Sequence, residues 1–203
     1  DVRRQAVAVL FADIRGFTTR CEAMPPEDAI SFLRDFHGRM EDVIFRHGGT
    51  LDKILGDGLL AVFGMPDRGS GDAGDGLACA FAMIEAINAW NTERAARGEF
   101  EVQIGVGLHY GYVMLGDLGS ERSMTFTVVG DTVNVASRLQ ALSKDLGTGL
   151  VASEALVNAV KDEMRKGRAL IDELRFVGPK QLRGRENETV VYALDGVARR
   201  AVA

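Results

Sequence analysis

Leu51-Asp-Lys-Ile-Leu-Gly-Asp-Gly-Leu-Leu-Ala-Val-Phe63 holds two apolar-rich runs, Leu51 to Leu55 and Leu59 to Phe63, hinged on Gly56-Asp57-Gly58. Glycine and aspartate between strand-like runs predict a β-hairpin with a tight turn. Upstream, the short apolar run Ala6 to Phe11 ends at Asp13, as a buried strand does where it stops in a loop. Between the two, Pro25 and Pro26 open a segment in which Ile30, Leu33, Phe36, Met40, Val43 and Ile44 recur at steps of three and four before Gly48 and Gly49. That spacing predicts an amphipathic helix with a glycine stop. Downstream, residues 69–76 predict a flexible loop leading into a second helix with Leu77, Phe81, Ile84, Ile87 and Trp90 on one stripe, ending near Gly98. Phe100, Val102, Ile104, Val106, Leu108 and Tyr110 then alternate with polar residues and glycines, which predicts a long strand with one buried face.

The order from residue 6 to 110 is therefore strand, helix, strand, strand, helix, strand. A right-handed crossover makes the first two strands parallel, and the third inserts between them, antiparallel to both. The end of the first strand and the hairpin turn then share one edge of the sheet, so Asp13 and Asp57 are expected to be spatial neighbours. The expected fold is α+β, a ferredoxin-like βαββαβ core sheet with helices packed on it. Gly111 to Leu118 and Met124 to Val129 read as two further strands, and Asp131 as the cap of a helix carrying Val135, Leu139, Leu142 and Leu146. A C-terminal α/β extension follows, with a strand at Leu150, a helix from Glu154 to Met164 and strands near Phe176 and Val190. No repeat and no linker divides residues 1–203, so a single domain is expected.

Composition narrows the function. Across 203 residues, 29 Asp and Glu outweigh 24 Lys and Arg, a formal charge of −5. That balance argues against a nucleic-acid binder, which needs uncompensated cations, but not against a nucleotide held through metal. Runs such as Ala6 to Ala12 fall far short of the roughly twenty apolar residues of a membrane span, and no direct membrane contact is expected. Cys21 and Cys79 make neither a disulfide framework nor a zinc site, which suits a reducing cytoplasm. A chain opening on Asp1 reads as a fragment of a longer protein.

The candidate chemistry is acidic and amide-cationic. Asp13 alone reads as a turn cap, and Asp57 alone as a residue that tolerates turn dihedrals. Converging on one open edge, the two carboxylates suit hard divalent cations such as Mg²⁺. On the helix after Asp131, Asn134 and Arg138 are four residues apart and project from one face. That pair is either a solvated face or a hydroxyl-reading amide beside a phosphate-reading guanidinium. Lys53 and the Arg183-Gly184-Arg185 turn read as ordinary surface cations on local grounds. Gly105-Val-Gly107 lacks the strand-turn-helix setting of a dinucleotide site, and His37, His47 and His109 lack metal-ligand spacing.

Phe11-Ala-Asp13-Ile-Arg-Gly-Phe17-Thr, Asp52-Lys53-Ile-Leu-Gly-Asp57 and Val129-Gly-Asp-Thr-Val-Asn134-Val-Ala-Ser-Arg138-Leu together resemble the class III nucleotidyl cyclase catalytic domain. The match runs in order over nearly the whole chain. It implies conversion of a purine nucleoside triphosphate into its 3′,5′-cyclic monophosphate and pyrophosphate. It further implies that Asp13 and Asp57, helped by the carbonyl of Ile14, hold two Mg²⁺ or Mn²⁺ ions. By the same resemblance Arg138 stabilises charge on the α-phosphate and Asn134 orients the ribose.

Two positions set the base in this family, and here they are Lys53 and Thr127. A lysine and a hydroxyl suit the adenine N1 and 6-amino edge, whereas guanine prefers an acidic acceptor. ATP is thus the expected substrate. The Lys-Thr pairing resembles a bacterial branch that includes bicarbonate-responsive cyclases, which implies bicarbonate activation. Arg183 aligns with a lysine that contacts the β- and γ-phosphates, and Gly105 stands where some members carry a phosphate-facing arginine. The family divides each site across a C2 homodimer, metal aspartates on one copy and base, ribose and transition-state residues on the other. Sensor domains or membrane segments of a parent protein would lie outside this cytoplasmic piece. The competing expectations are a guanylyl cyclase and a catalytically silent nucleotide-binding or dimerisation module. The silent form is marked by loss of a metal aspartate, the asparagine or the arginine, and this chain keeps all of them.

Overall fold

A computed structural model describes residues 2–117, 126–163 and 167–195. β1 (Arg3–Ile14) is its axis: β3 (Gly58–Phe63) and β4 (Ile104–Asp117) pair antiparallel along its two sides. β2 (Thr50–Leu55) adds to β3 across the predicted hairpin, whose Gly56 takes φ +62°. The sheet extends through β6 (Leu150–Ser153), β8 (Thr189–Leu194) and β7 (Leu174–Lys180), with β5 (Phe126–Val129) paired to the far end of β4. Its order, β2-β3-β1-β4 and then β6-β8-β7, is the expected ferredoxin-like core plus the C-terminal extension.

The main core lies on one face of this sheet, beneath α2 (Pro26–Arg46), α3 (Asp72–Ala96) and α5 (Glu154–Asp162). Most of the residues on the stripes read from sequence lie there, with Phe36, Met40, Leu77, Trp90, Val106 and Leu108 all buried. Ile30, expected on the α2 stripe, is instead 59 % exposed, because it sits roughly 120° around the helix from Phe36. Two short helices were not expected, α1 (Phe17–Glu22) and α6 (Arg168–Ile171). Phe17 docks α1 by stacking on Phe32 of α2, ring centroids 5.6 Å apart. That contact is tertiary and leaves no periodic trace in the chain.

α4 (Asp131–Asp145) covers the opposite face. Val135 and Leu139 are buried with Val151, Leu182 and Val191, while Ala136 joins Val7, Val9 and Leu60. The helix lies against a bare track on β4. A Cβ on Gly107 would stand 2.1 Å from the Ala136 carbonyl, and one on Gly111 would stand 2.7 Å from Thr132 Oγ1. Only glycine admits a helix backbone that close.

Several boundaries differ from expectation. β4 does not break at Gly111 and begins at Ile104, not Phe100, because the twelve-residue β1 pairs with it continuously from Ile14↔Ile104 to Arg3↔Leu115. α3 starts at Asp72, inside the expected loop. Its free N-terminal amides are capped from a distance, Glu163 accepting from Ala73 and Gly74 N–H at 2.8 Å each. Gly130, not Asp131, is the N-cap of α4, and no side chain caps it; Asp131 instead pairs with Arg185 at 3.4 Å. α5 ends at Asp162, and Leu118, Met124 and Met164 lie outside the described residues.

Candidate active site

The site is built at the end of β1. Asp13 is paired with Gly58 on one side and Gly105 on the other, and the Ile14 N–H donates to the Asp57 carbonyl at 3.3 Å. The two acidic positions are thus neighbours through the backbone, as the topology required. Their like charges are felt: the Asp13 carboxyl is raised from 3.8 to about 6, first by burial and then by Asp57, with Arg15 opposing. An edge that holds two oxygen-donor carboxylates at a cost in repulsion fits a divalent cation. Among the described residues no cluster of three or more His, Cys, Asp or Glu offers a complete metal shell. A two-carboxylate edge suits Mg²⁺, which commonly takes one or two carboxylates and completes its shell from water and substrate phosphates.

Lys53 follows a bulge at Asp52, where the β2–β3 register slips between Leu51 and Lys53. The Asp52 side chain is only 3 % exposed, and its Oδ2 lies 3.7 Å from Lys53 Nζ. Burial raises the Asp52 carboxyl above its usual range, with Lys53 opposing. The Thr127 backbone pairs with Gly116 in β5, while its side chain lies outside what is described.

α4 supplies the rest. Asn134 is exposed and Arg138 half-buried, and among the described residues neither side chain is engaged in a hydrogen bond or ion pair. The loop before β8 runs beside them: a Cβ on Gly184 would stand 3.4 Å from Arg138 Nη2, Arg185 pairs with Asp131, and Arg183 is exposed. Sequence reading missed Gln140, whose side chain is largely buried and donates from Nε2 to Asp13 Oδ1. This contact orients α4. At 100° per residue, Arg138 and Asn134 lie roughly 200° and 240° around the helix from Gln140. With Gln140 facing the chain's own Asp13, the other two look away from it.

His109 lies on the α4-facing side of β4, its Nδ1 2.7 Å from Ser153 Oγ. Burial, aided by Arg185, pushes it from 6.5 down to about 4, with Asp131 opposing. It is therefore a neutral packing residue at ordinary pH.

The family described as the adenylate and guanylate cyclase catalytic domain matches residues 2–195. Adenylate cyclase 1 of Rhizobium meliloti is 33 % identical over 97 % of this chain, and the adenylate cyclase of Anabaena cylindrica 37 % over 74 %. The chain spans 28 % and 30 % of those two relatives. Among solved structures, the adenylyl cyclase CyaB from P. aeruginosa is similar with TM-score 0.83 and 26 % identity, over 98 % of both chains. The guanylyl cyclase Cya2 is similar with TM-score 0.81 and 30 % identity, over 98 % of this chain and 96 % of that one. No helix among the described residues is long and apolar enough to cross a membrane.

Proposed function

The chain belongs to the family of adenylate and guanylate cyclase catalytic domains, and from that membership we propose that it converts ATP into 3′,5′-cyclic AMP and pyrophosphate at sites shared between two copies of itself. The observation that carries the shared site is the orientation of α4. Gln140 faces the chain's own Asp13, so Asn134 and Arg138 are turned away from that edge and are placed to serve the carboxylate edge of another copy. A C2 pair completes two sites at once, since each copy gives both halves.

In this reading Asp13 and Asp57, with the Ile14 carbonyl, hold two Mg²⁺ or Mn²⁺ ions. Bound there, the ions supply charge neutralisation of the triphosphate and a lowered pKa for the ribose 3′-hydroxyl. From the second copy, Asn134 holds the ribose so that its 3′-oxygen faces the α-phosphorus in line with the departing pyrophosphate. Arg138 meets the charge that builds on the α-phosphate oxygens as the new bond forms. Arg183 lies on the loop beside Arg138 and serves the β- and γ-phosphates. Lys53 and Thr127 read the adenine edge, with the buried Asp52 carboxylate drawing the Lys53 ammonium.

Relatives described as adenylate cyclases support the choice of ATP, while the likeness to the guanylyl cyclase Cya2 leaves the base to side chains alone. Incubating the chain with equal ATP and GTP plus Mn²⁺ tests it. Cyclic AMP is expected to exceed cyclic GMP by about tenfold or more, and Lys53→Glu to remove most of that preference. Cyclic GMP as the main product overturns the base assignment alone. No cyclic product from either nucleotide, at concentrations that allow pairing, overturns the cyclase reading.

A further inference from the structure

Asp13 is held by more than its strand. Gln140 Nε2 donates to Asp13 Oδ1, and the Gln140 carbonyl accepts from Ser143 Oγ at 2.6 Å. Ser143 Oγ in turn accepts from Arg15 Nη2 at 3.0 Å, and the same guanidinium reaches the Thr148 carbonyl. Asp13, Ile14, Arg15, Ser143 and Gln140 thus form a closed ring that buckles the end of β1 to α4. Room for it comes from Gly105, which pairs with Asp13 in register. A Cβ there would stand 2.5 Å from Ser143 Oγ and 2.9 Å from Gln140 Nε2. Gly105, which departs from the arginine seen in some cyclases, is the opening through which Gln140 passes.

The geometry points to Gln140 as a positioning residue for the metal-binding carboxylate of Asp13. Its amide occupies Oδ1 and leaves Oδ2 without a hydrogen-bond partner among the described residues. An amide suits this task better than an acid, because an ionised carboxylate at 140 has no proton to donate and adds a third negative charge. Partners that hold a ligating side chain in this way are worth roughly 10- to 100-fold in metal affinity. The ring also fixes the helix that lends Asn134 and Arg138 to the other copy, so one contact sets the alignment of both half-sites.

This inference rests on the reading of Asp13 and Asp57 as the metal edge, and the test separates the two. Mn²⁺ binding is followed by electron paramagnetic resonance on nucleotide-free protein, with the melting temperature in metal-free buffer measured alongside. Gln140→Met keeps the length and removes the donor. It is expected to weaken Mn²⁺ binding by about 10-fold or more while shifting the melting temperature little. Gly105→Ala presses on the same amide from below without altering it, and is expected to weaken binding in the same direction. Asp57→Asn abolishes binding if the edge is the metal site. Wild-type affinity in both the Gln140 and Gly105 variants, with Asp57→Asn dead, overturns the positioning role alone. Failure of the wild type to bind Mn²⁺ overturns the metal edge and the positioning role together.

Discussion

The two halves of the candidate site differ in how much of their environment the chain provides. At the carboxylate edge everything is in place: Asp13 and Asp57 are neighbours, Gln140 grips one oxygen, and Arg15 secures the segment to α4. On the outer face of the same helix, Asn134 and Arg138 stand without hydrogen-bond or ion-pair partners among the described residues. The first half stores electrostatic repulsion of the kind that a bound cation would relieve. The second keeps an amide and a guanidinium uncommitted, as groups that must meet a ligand from outside do. On the proposed reading, a single folded chain carries an assembled carboxylate edge and an α4 face that lacks its counterpart.

The largest effect expected from this contrast comes from mixing. Asp57→Asn and Arg138→Ala chains are each expected to lose at least 100-fold in cyclase activity. Mixed in equal amounts, they are expected to recover about a quarter of wild-type activity, since random pairing makes half the dimers mixed and each mixed dimer has one intact site of two. A mixture as inactive as its parts breaks the division into two halves.

A smaller effect probes the α4 side through His109. Its neutral form is favoured in the fold, about 4 against 6.5 when unfolded. Between those values the unfolded chain binds more protons, so this stability is complete above pH 6.5 and is lost as pH falls toward 4. At pH 5 the loss is about 2 kcal/mol. Melting curves at pH 7 and pH 5 should show a shallower acid loss in His109→Asn than in the wild type; equal slopes remove His109 from the account.

The smallest effect belongs to the carboxylate edge. Without metal, Asp57→Asn relieves the repulsion that helps raise Asp13, and the variant is expected to melt about 2–4 °C higher, the shift that ~1 kcal/mol gives a chain of this size. The gain is modest because Asp13 is partly exposed and its field is screened. Mn²⁺ should then stabilise the wild type and not the variant. A variant that melts lower than wild type contradicts stored repulsion at this edge.

Much of this is legible in the amino-acid sequence. The hairpin at Gly56-Asp57-Gly58 and the stripes on α2 and α3 follow local periodicity, because a side chain's place along a regular element follows from its spacing. The convergence of Asp13 and Asp57 also follows, since handedness and strand order leave one arrangement. What failed was decided across distance. The start of α3 depends on Glu163, ninety positions away from Ala73. The unbroken course of β4 through Gly111 depends on the length of β1.

Gln140 shows the same divide at the site. Gly105, Gly107 and Gly111 share one face of β4, and that pattern signals a close-lying helix more than a dinucleotide loop. The signal was present but pointed to no residue. By itself, the sequence determined the strands and long helices of the core, their order in the core sheet and the identity of the acidic, amide and cationic groups. Only the tertiary structure decided that Gln140 holds Asp13 and that Asn134 and Arg138 face outward. The rotation of a helix about its own axis is set by what it packs against, and the glycine track on β4 brought α4 close enough to settle it.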